Sequence, residues 1–218
     1  MTEFITNGFQ LFTTVICTTL SIIRGARLKS RAYVLLALFS GIFFLGDTYW
    51  LLFYLFYSET PNPSFISDLS WHSSYLFLIL LLINAKGRPK GAKHSPLLFL
   101  APVFTLAMGI YFMQYGEYLS NLVIALLMAL LIWHSLDGLF LTRGEKRADT
   151  PRPLYIMTLV FCFIEYTLWV ASCIWDGETF ANPYYWIDLL LSCTFLFFIP
   201  AVGKVALSAS DRISEVSL

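Results

Sequence analysis

Long apolar stretches alternate with short polar ones along almost the whole chain, and this pattern predicts seven hydrophobic α-helices. A bilayer core needs about 20 apolar residues per helix. The breaks between the stretches are rich in charge, Gly or Pro, as in RGARLKSR, KGRPKGAKH and RGEKRADTPRP, or are short turns such as YGEY. We place the helices at about 8–23, 33–57, 65–85, 95–114, 118–141, 154–175 and 184–206.

Composition agrees with this pattern. Of the 218 residues, 58% are hydrophobic and only 13% are charged, whereas soluble domains carry about 25% charged residues. Only Glu3 is charged before the first apolar stretch, and basic residues follow it, which is the wrong flank for a cleaved signal peptide. We therefore expect a single all-α integral membrane domain over residues 1–218, with its first helix retained.

The 14 Lys and Arg residues predict the orientation of the helices. Four lie in 24–31, four in 86–93 and four in 143–152, and the last two are Lys204 and Arg212. With seven spans all of them fall on one side of the membrane. Because basic loops stay in the cytoplasm, we expect the N-terminus outside and the C-terminus inside, with 207–218 as a short cytoplasmic tail. The expected location is a bacterial inner membrane or a plasma membrane.

One polar pattern occurs twice, which indicates an internal duplication. Residues 59–69 and 178–189 both contain Glu-Thr, a spacer, Asn-Pro, four residues and Asp-Leu. Trp50 and Trp169 are 119 residues apart, as are RGARLK and RGEKRA. The predicted repeats are parallel, cover about 8–85 and 118–206, and are joined by a connector helix at about 95–114, a 3+1+3 arrangement. Ligand sites in repeat-built transporters lie at the repeat interface near the membrane midplane.

Two acidic residues lie near the middle of predicted spans, where ionisable groups are costly and often functional. Asp47 is near the middle of helix 2, and Glu165 is near the middle of helix 6, 118 residues later. Such a pair is suited to bind a proton, a cation or a hydroxylated solute. The alternative is that each acid only hydrogen-bonds a neighbour and holds two helices together. Aromatic neighbours complete the candidate site: Trp50, Tyr54, Tyr166 and Trp169.

Helices 3 and 7 are expected to begin in the same way. Asn is a good N-cap and Pro is tolerated at the first helical position. Asp68 and Asp188 follow about a turn and a half later, near the outer interface, and His72 lies one turn after Asp68. We include these three residues in the candidate ligand site. The predicted cap pairs are Asn62–Pro63 and Asn182–Pro183.

The other polar and aromatic residues have simpler interpretations. His134 and Asp137 lie on the inner half of helix 5, where we expect Asp137 to be solvated. The four cysteines lie in apolar segments and form no C-x-x-C pair, so we interpret them as small buried hydrophobes. No spacing of ligands predicts a metal or cofactor site. Aromatic residues near helix ends are interpreted as an interfacial belt: Trp71, Tyr115, Trp175, Tyr184, Tyr185 and Trp186.

Residues 45–78 resemble the multi-pass N-terminal membrane (sensor) regions of bacterial diguanylate cyclases and histidine kinases. In those, G-D-x-x-W ends one helix and P-x-P-S-x-x-D starts the next, although here the second element has one extra residue. Since only about a dozen residues follow helix 7, the resemblance implies a separate cytoplasmic signalling partner. The matching residues are Gly46, Asp47, Trp50, Pro61, Pro63, Ser64 and Asp68.

Two further resemblances are narrower. The 3+1+3 topology is similar to that of SWEET-type sugar transporters, but the chain lacks their P-Q motif. The Gly-Asp of FFLGD is similar to an early span of the lysoplasmalogenase family, which implies eight spans and a second acidic motif that FIEYT does not clearly match.

Together these features predict a membrane protein that binds or senses a small ligand in an acidic and aromatic pocket at the repeat interface. The alternatives are a small-solute or proton-coupled carrier and a lysoplasmalogenase-like lipid hydrolase. No triad of nucleophile, base and orienting residue is evident, so an enzyme is not favoured. The expected partners are the lipid bilayer, a small ligand, and a signalling protein or a second copy of the chain, but not nucleic acid.

Overall fold

The computed structural model of the protein describes residues 2–57, 59, 61, 65–86, 95–142, 151–177 and 179–216. Within these ranges the chain is all-helical, as predicted. A 3₁₀ turn, Pro96–Phe99, leads into the fourth helix. The seven α-helices are α1 (Thr2–Leu28), α2 (Arg31–Tyr57), α3 (Phe65–Ala85), α4 (Leu100–Phe112), α5 (Tyr118–Leu141), α6 (Arg152–Ile174) and α7 (Pro183–Val216).

Six of these helices are long and apolar enough to cross a membrane, and α4 is the exception. With its 3₁₀ turn, α4 covers only Pro96–Phe112, about 26 Å at 1.5 Å per residue. The ends of α2, α3 and α5 agree with the prediction to within two residues. In contrast, α1 extends beyond the predicted 8–23 at both ends, and α7 continues ten residues past 206, through most of the segment expected to be a tail.

The outer surface of the bundle is apolar and much of its interior is polar. On α1 the buried face carries Thr6, Gln10 and Thr13, whereas Phe12 and Ile22 are 61% and 59% exposed. A helix in water places these residue types the other way round. Helices that face hydrocarbon gain little by turning their apolar side chains inward, because lipid tails are as apolar as leucine. The fold is that of a multi-pass membrane protein.

Six helices form a closed ring in the order α1, α2, α3, α5, α6, α7, and α7 packs back against α1. Ser120 at the start of α5 donates to Asp68 at the start of α3, over 3.5 Å, and Lys86 after α3 pairs with Asp137 late in α5. Helices α3 and α5 therefore run parallel. We call the end of the bundle where α1, α3, α5 and α7 begin the upper end, and the opposite end the lower end.

Helix α4 packs on α5 from outside this ring. At the lower end Phe99 contacts Trp133, with ring centroids 5.5 Å apart, and at the upper end Phe112 contacts Trp169 of α6, with centroids 5.9 Å apart. The segment from Pro96 to Phe112 thus carries the chain from the lower end, where α3 finishes, to the upper end, where α5 begins.

The lower half of the bundle has a close-packed aromatic core. Phe39 of α2 stacks on Phe195 of α7, with ring centroids 5.4 Å apart, and makes edge contacts with Phe161 and Phe198. All four side chains are fully buried. They form the floor beneath the cavity described next, because Phe43, one turn above Phe39, is both a neighbour of Phe195 and part of the cavity wall.

Candidate functional site

A cavity of about 250 Å³ occupies the upper half of the ring, and all six ring helices contribute to its wall. Asp47 of α2, Glu165 of α6 and Asp188 of α7 line it, and each is only 3% exposed. The structure thus brings the two predicted intramembrane acids to one cavity, together with Asp188, which was also predicted for the ligand site. Each carboxylate lies within electrostatic range of the other two.

Asp47 is held by an indole that approaches its helix very closely. Trp71 of α3 donates from Nε1 to Asp47 Oδ1 over 3.1 Å. Gly46 makes room for this contact, because a Cβ atom at that position would lie 2.8 Å from Trp71 Nε1. The second oxygen, Asp47 Oδ2, is buried and has no hydrogen-bond partner among the described residues.

Glu165 is held from across the ring. The hydroxyl of Tyr75 on α3 donates to Glu165 Oε1 over 2.6 Å. Tyr75 is itself 3% exposed and packs edge-on against Phe161, with centroids 5.8 Å apart. This hydrogen bond connects the two predicted repeats and fixes the direction of the carboxyl group.

Asp188 reaches the cavity because of the way α7 begins. The carbonyl oxygen of the Asn182 side chain accepts from the Tyr184 backbone N–H over 2.9 Å, and Pro183 is the first helical residue, so the predicted cap is confirmed in this copy. Asp188 follows one and a half turns later, where its carboxyl group lies close to the Thr6 hydroxyl of α1. Its Oδ2 atom has no partner among the described residues. The corresponding pair Asn62–Pro63, and Ser64, lie outside the described residues.

Asp68 and His72 also line the cavity, nearer its upper opening. Asp68 is half-buried and accepts from Ser120. His72 is half-buried too, and its Nε2 atom is enclosed without a described partner. Both residues belong to the same helix face as Tyr75.

Of the four aromatic residues predicted for the site, two line the cavity and two do not. Trp50 lines the cavity and lies 6.0 Å from Trp71 between ring centroids, and Trp169 lines the opposite wall. Tyr54 is half-buried but is not among the described residues that line the cavity. Tyr166 lines a second cavity between α4, α5 and α6, and Trp169 forms part of the walls of both cavities.

No family model, curated protein or solved structure matches the chain. The resemblances to sensor regions, SWEET-type transporters and lysoplasmalogenases therefore stay predictions, and any functional argument depends on the geometry of the cavity. No cluster of three or more His, Cys, Asp or Glu side chains in the described part of the chain is arranged to hold a metal ion.

Two predictions about individual residues are wrong. Asp137 is not solvated: it is 2% exposed and forms an ion pair with Lys86, because the end of α3 lies against α5. Trp71 and Tyr184 are not belt residues, since both line the cavity, and Tyr185 is 5% exposed.

Tyr75 and the amides Asn7 and Gln10 of α1 also line the cavity, although none of the three was predicted. A signal for Tyr75 was present, since Asp68, His72 and Tyr75 follow one another at helical spacing on α3. The polar positions of α1 likewise recur every three to four residues. This periodicity marks one buried polar face inside an apolar helix.

Proposed function

We propose that this protein binds a small ligand in the cavity between its six ring helices. The observation that supports this best is a pair of buried carboxylate oxygens, Asp47 Oδ2 and Asp188 Oδ2, that lack a described partner and belong to residues lining one cavity. A buried polar atom without a hydrogen bond costs about 1–3 kcal/mol, and more when it is charged. A ligand that satisfies both atoms offsets this cost, which a purely structural role of the acids does not.

The size of the cavity supports a small ligand. A volume of about 250 Å³ exceeds that of an engineered cavity of about 150 Å³ that binds benzene. It lies just below the range of about 300–1,000 Å³ that is typical of pockets for drug-sized molecules.

We infer further that the fold is a parallel 3+1+3 repeat. Exchanging α1, α2 and α3 with α5, α6 and α7 maps the order of helices in the ring onto itself, and the α3–α5 contact then corresponds to the α1–α7 contact. Thr6 near the start of α1 lies close to Asp188 near the start of α7, so this second pair is parallel as well. The cavity lies at the axis that would relate the two halves.

The orientation in the membrane follows from charge. The described basic residues lie at or near the lower end, including Arg24, Arg31, Lys86 and Arg152, whereas Glu3, Glu117 and Asp176 lie at the upper end. By the positive-inside rule the lower end is cytoplasmic. The cavity would then lie in the outer half of the membrane.

The experiment is a thermal-shift screen of the purified protein in detergent with soluble amines, sugars, amino acids and nucleosides. A ligand at 100 times its Kd stabilises the folded state by about 2.7 kcal/mol. We expect at least one class to raise the Tm of the wild type but not that of Asp47→Asn. Asn keeps an oxygen that accepts from Trp71, so this variant should fold and lose ligand binding more than stability.

Asp176→Asn is the matched control, because it makes the same change at an exposed position in the loop before α7. It should respond like the wild type. If no class shifts the Tm of the wild type, or if Asp47→Asn responds equally, the cavity is not the binding site and the acids only hold helices together.

A small-solute carrier is the second candidate function. The cavity lies in the upper half, whereas Phe39, Phe161, Phe195 and Phe198 close the lower half. A cavity in one half and a closed opposite half is what one state of an alternating-access carrier would show. A carrier should accumulate the radiolabelled screening ligand in proteoliposomes, whereas a receptor should bind the ligand without uptake.

A further inference from the structure

We propose that the ligand is a small organic cation whose ammonium group carries alkyl substituents. This inference rests on the proposed function, since it names the chemical class that would occupy the same cavity. The proposed cation site consists of three acids and three indoles of the cavity wall: Asp47, Asp188, Glu165, Trp50, Trp71 and Trp169.

The cavity wall contains acids but no strong base. Asp47, Glu165 and Asp188 line it and are nine-tenths or more buried, and no Lys or Arg occurs among its described lining residues. Glu3 adds another acidic group near Asp188. Lys86, by contrast, forms an ion pair with Asp137 at the lower end. A buried carboxyl group is neutralised either by a proton or by a cation, and since no Lys or Arg lies among the described lining residues, a cation in the cavity would come from outside the protein.

Trp71 and Tyr75 provide hydrogen bonds to only some of the carboxyl oxygens in the cavity. Trp71 donates to one oxygen of Asp47 and Tyr75 donates to one oxygen of Glu165. Asp47 Oδ2 and Asp188 Oδ2 have no described donor. These two atoms are where a cation would gain most electrostatic energy.

The walls around the acids favour an organic cation over a metal ion. Three indoles line the cavity, and Trp50 and Trp71 are 6.0 Å apart between ring centroids. Indole faces attract ammonium groups, most strongly where water is excluded. Ca²⁺ requires six to eight oxygen ligands and Mg²⁺ retains several waters, and the described residues provide no such cage. An alkylated ammonium is weakly hydrated and presents methyl or methylene groups to the aromatic walls.

The test compares two probes that differ in charge but have nearly the same shape. Choline carries a trimethylammonium group, and 3,3-dimethylbutan-1-ol replaces its nitrogen by carbon. Binding of both to the full-length protein in nanodiscs is measured by isothermal titration calorimetry, together with tetramethylammonium and tetraethylammonium. We expect at least one cation of this panel to bind, and choline to bind about tenfold or more tightly than its neutral analogue.

Asp47→Asn and Asp188→Asn should each weaken binding of the cation about tenfold or more, whereas Asp176→Asn should leave it unchanged. Equal affinity for choline and the alcohol would overturn the inference. So would failure of every cation when a neutral compound from the thermal-shift screen binds, and in both cases the cavity remains a ligand site. If no probe and no screened compound binds, the proposed function fails together with the inference.

Discussion

At the scale of single residues, the contact between Gly46 and Trp71 determines how closely α2 and α3 approach beside Asp47. Gly46→Ala should displace the indole, because the new Cβ would lie 2.8 Å from Trp71 Nε1 and 3.1 Å from Ser70 Cβ. Ala is favoured over Gly by about 1 kcal/mol in a helix interior. The loss of the Trp71–Asp47 bond and the clash should exceed this gain, so the variant should melt at a lower temperature and bind the ligand more weakly.

Gly8→Ala is the control for the Gly46→Ala substitution. Position 8 also lies in a helix, but no atom lies within 4 Å of a Cβ placed there. This variant should be as stable as the wild type or slightly more stable, as measured by the Tm in detergent. Equal Tm values for Gly46→Ala and the wild type would show that Trp71 has no fixed role beside Asp47.

At the scale of elements, Lys86 and Asp137 join the lower ends of α3 and α5. Asp137 is almost fully buried and forms an ion pair with Lys86, which stabilises its charge. Lys86→Met should leave a buried carboxylate without its counter-ion, at a cost of about 3–5 kcal/mol. Adding Asp137→Leu should recover most of that loss, because replacing both members of a buried pair by apolar residues is often nearly neutral.

Denaturation of the purified variants in mixed micelles would test this coupling. Lys204→Met is the control, since Lys204 is exposed on α7 and the change should alter stability by no more than about 0.5 kcal/mol. A double variant as unstable as Lys86→Met alone would indicate that the aliphatic part of Lys86, and not its charge, holds the two helices together.

At the scale of the whole molecule, the direction of the chain depends on α4 crossing from the lower to the upper end. We predict that Lys29 faces the cytoplasm and Asp176 faces outward. In a background with all four cysteines replaced by alanine, Asp176→Cys should react with a membrane-impermeant maleimide in intact cells. Lys29→Cys should react only after permeabilisation. Both positions are exposed and lie between helices.

The possible outcomes separate two features of the topology. Labelling of Lys29→Cys but not Asp176→Cys in intact cells would reverse the orientation. Labelling of both from the same side would mean that α4 does not cross the membrane, because the number of crossings between the two positions would then be even.

Helix number, type and most helix ends were predictable from the sequence because they depend on local patterns. A stretch of apolar residues between charged or Pro-containing breaks is stable only as a helix in lipid, since its backbone groups have no water to bond. The ends of α3 and α5 agree with this argument. The start of α1 does not, because Thr2 and Thr6 are buried and are stable in helical form despite their polarity. The continuation of α7 past residue 206 was not predicted either.

The burial of Asp47 and Glu165 was also predictable, since a carboxylate that faces lipid costs about 2.5–3.5 kcal/mol on insertion scales. Only the tertiary structure decided which groups meet them. Trp71 reaches Asp47, Tyr75 reaches Glu165 and Asp137 reaches Lys86 because of the rotation and spacing of helices that are far apart in the chain. Hydropathy indicates which stretches lie inside the membrane, but it carries no information about the direction of a residue around the helix axis relative to a distant neighbour.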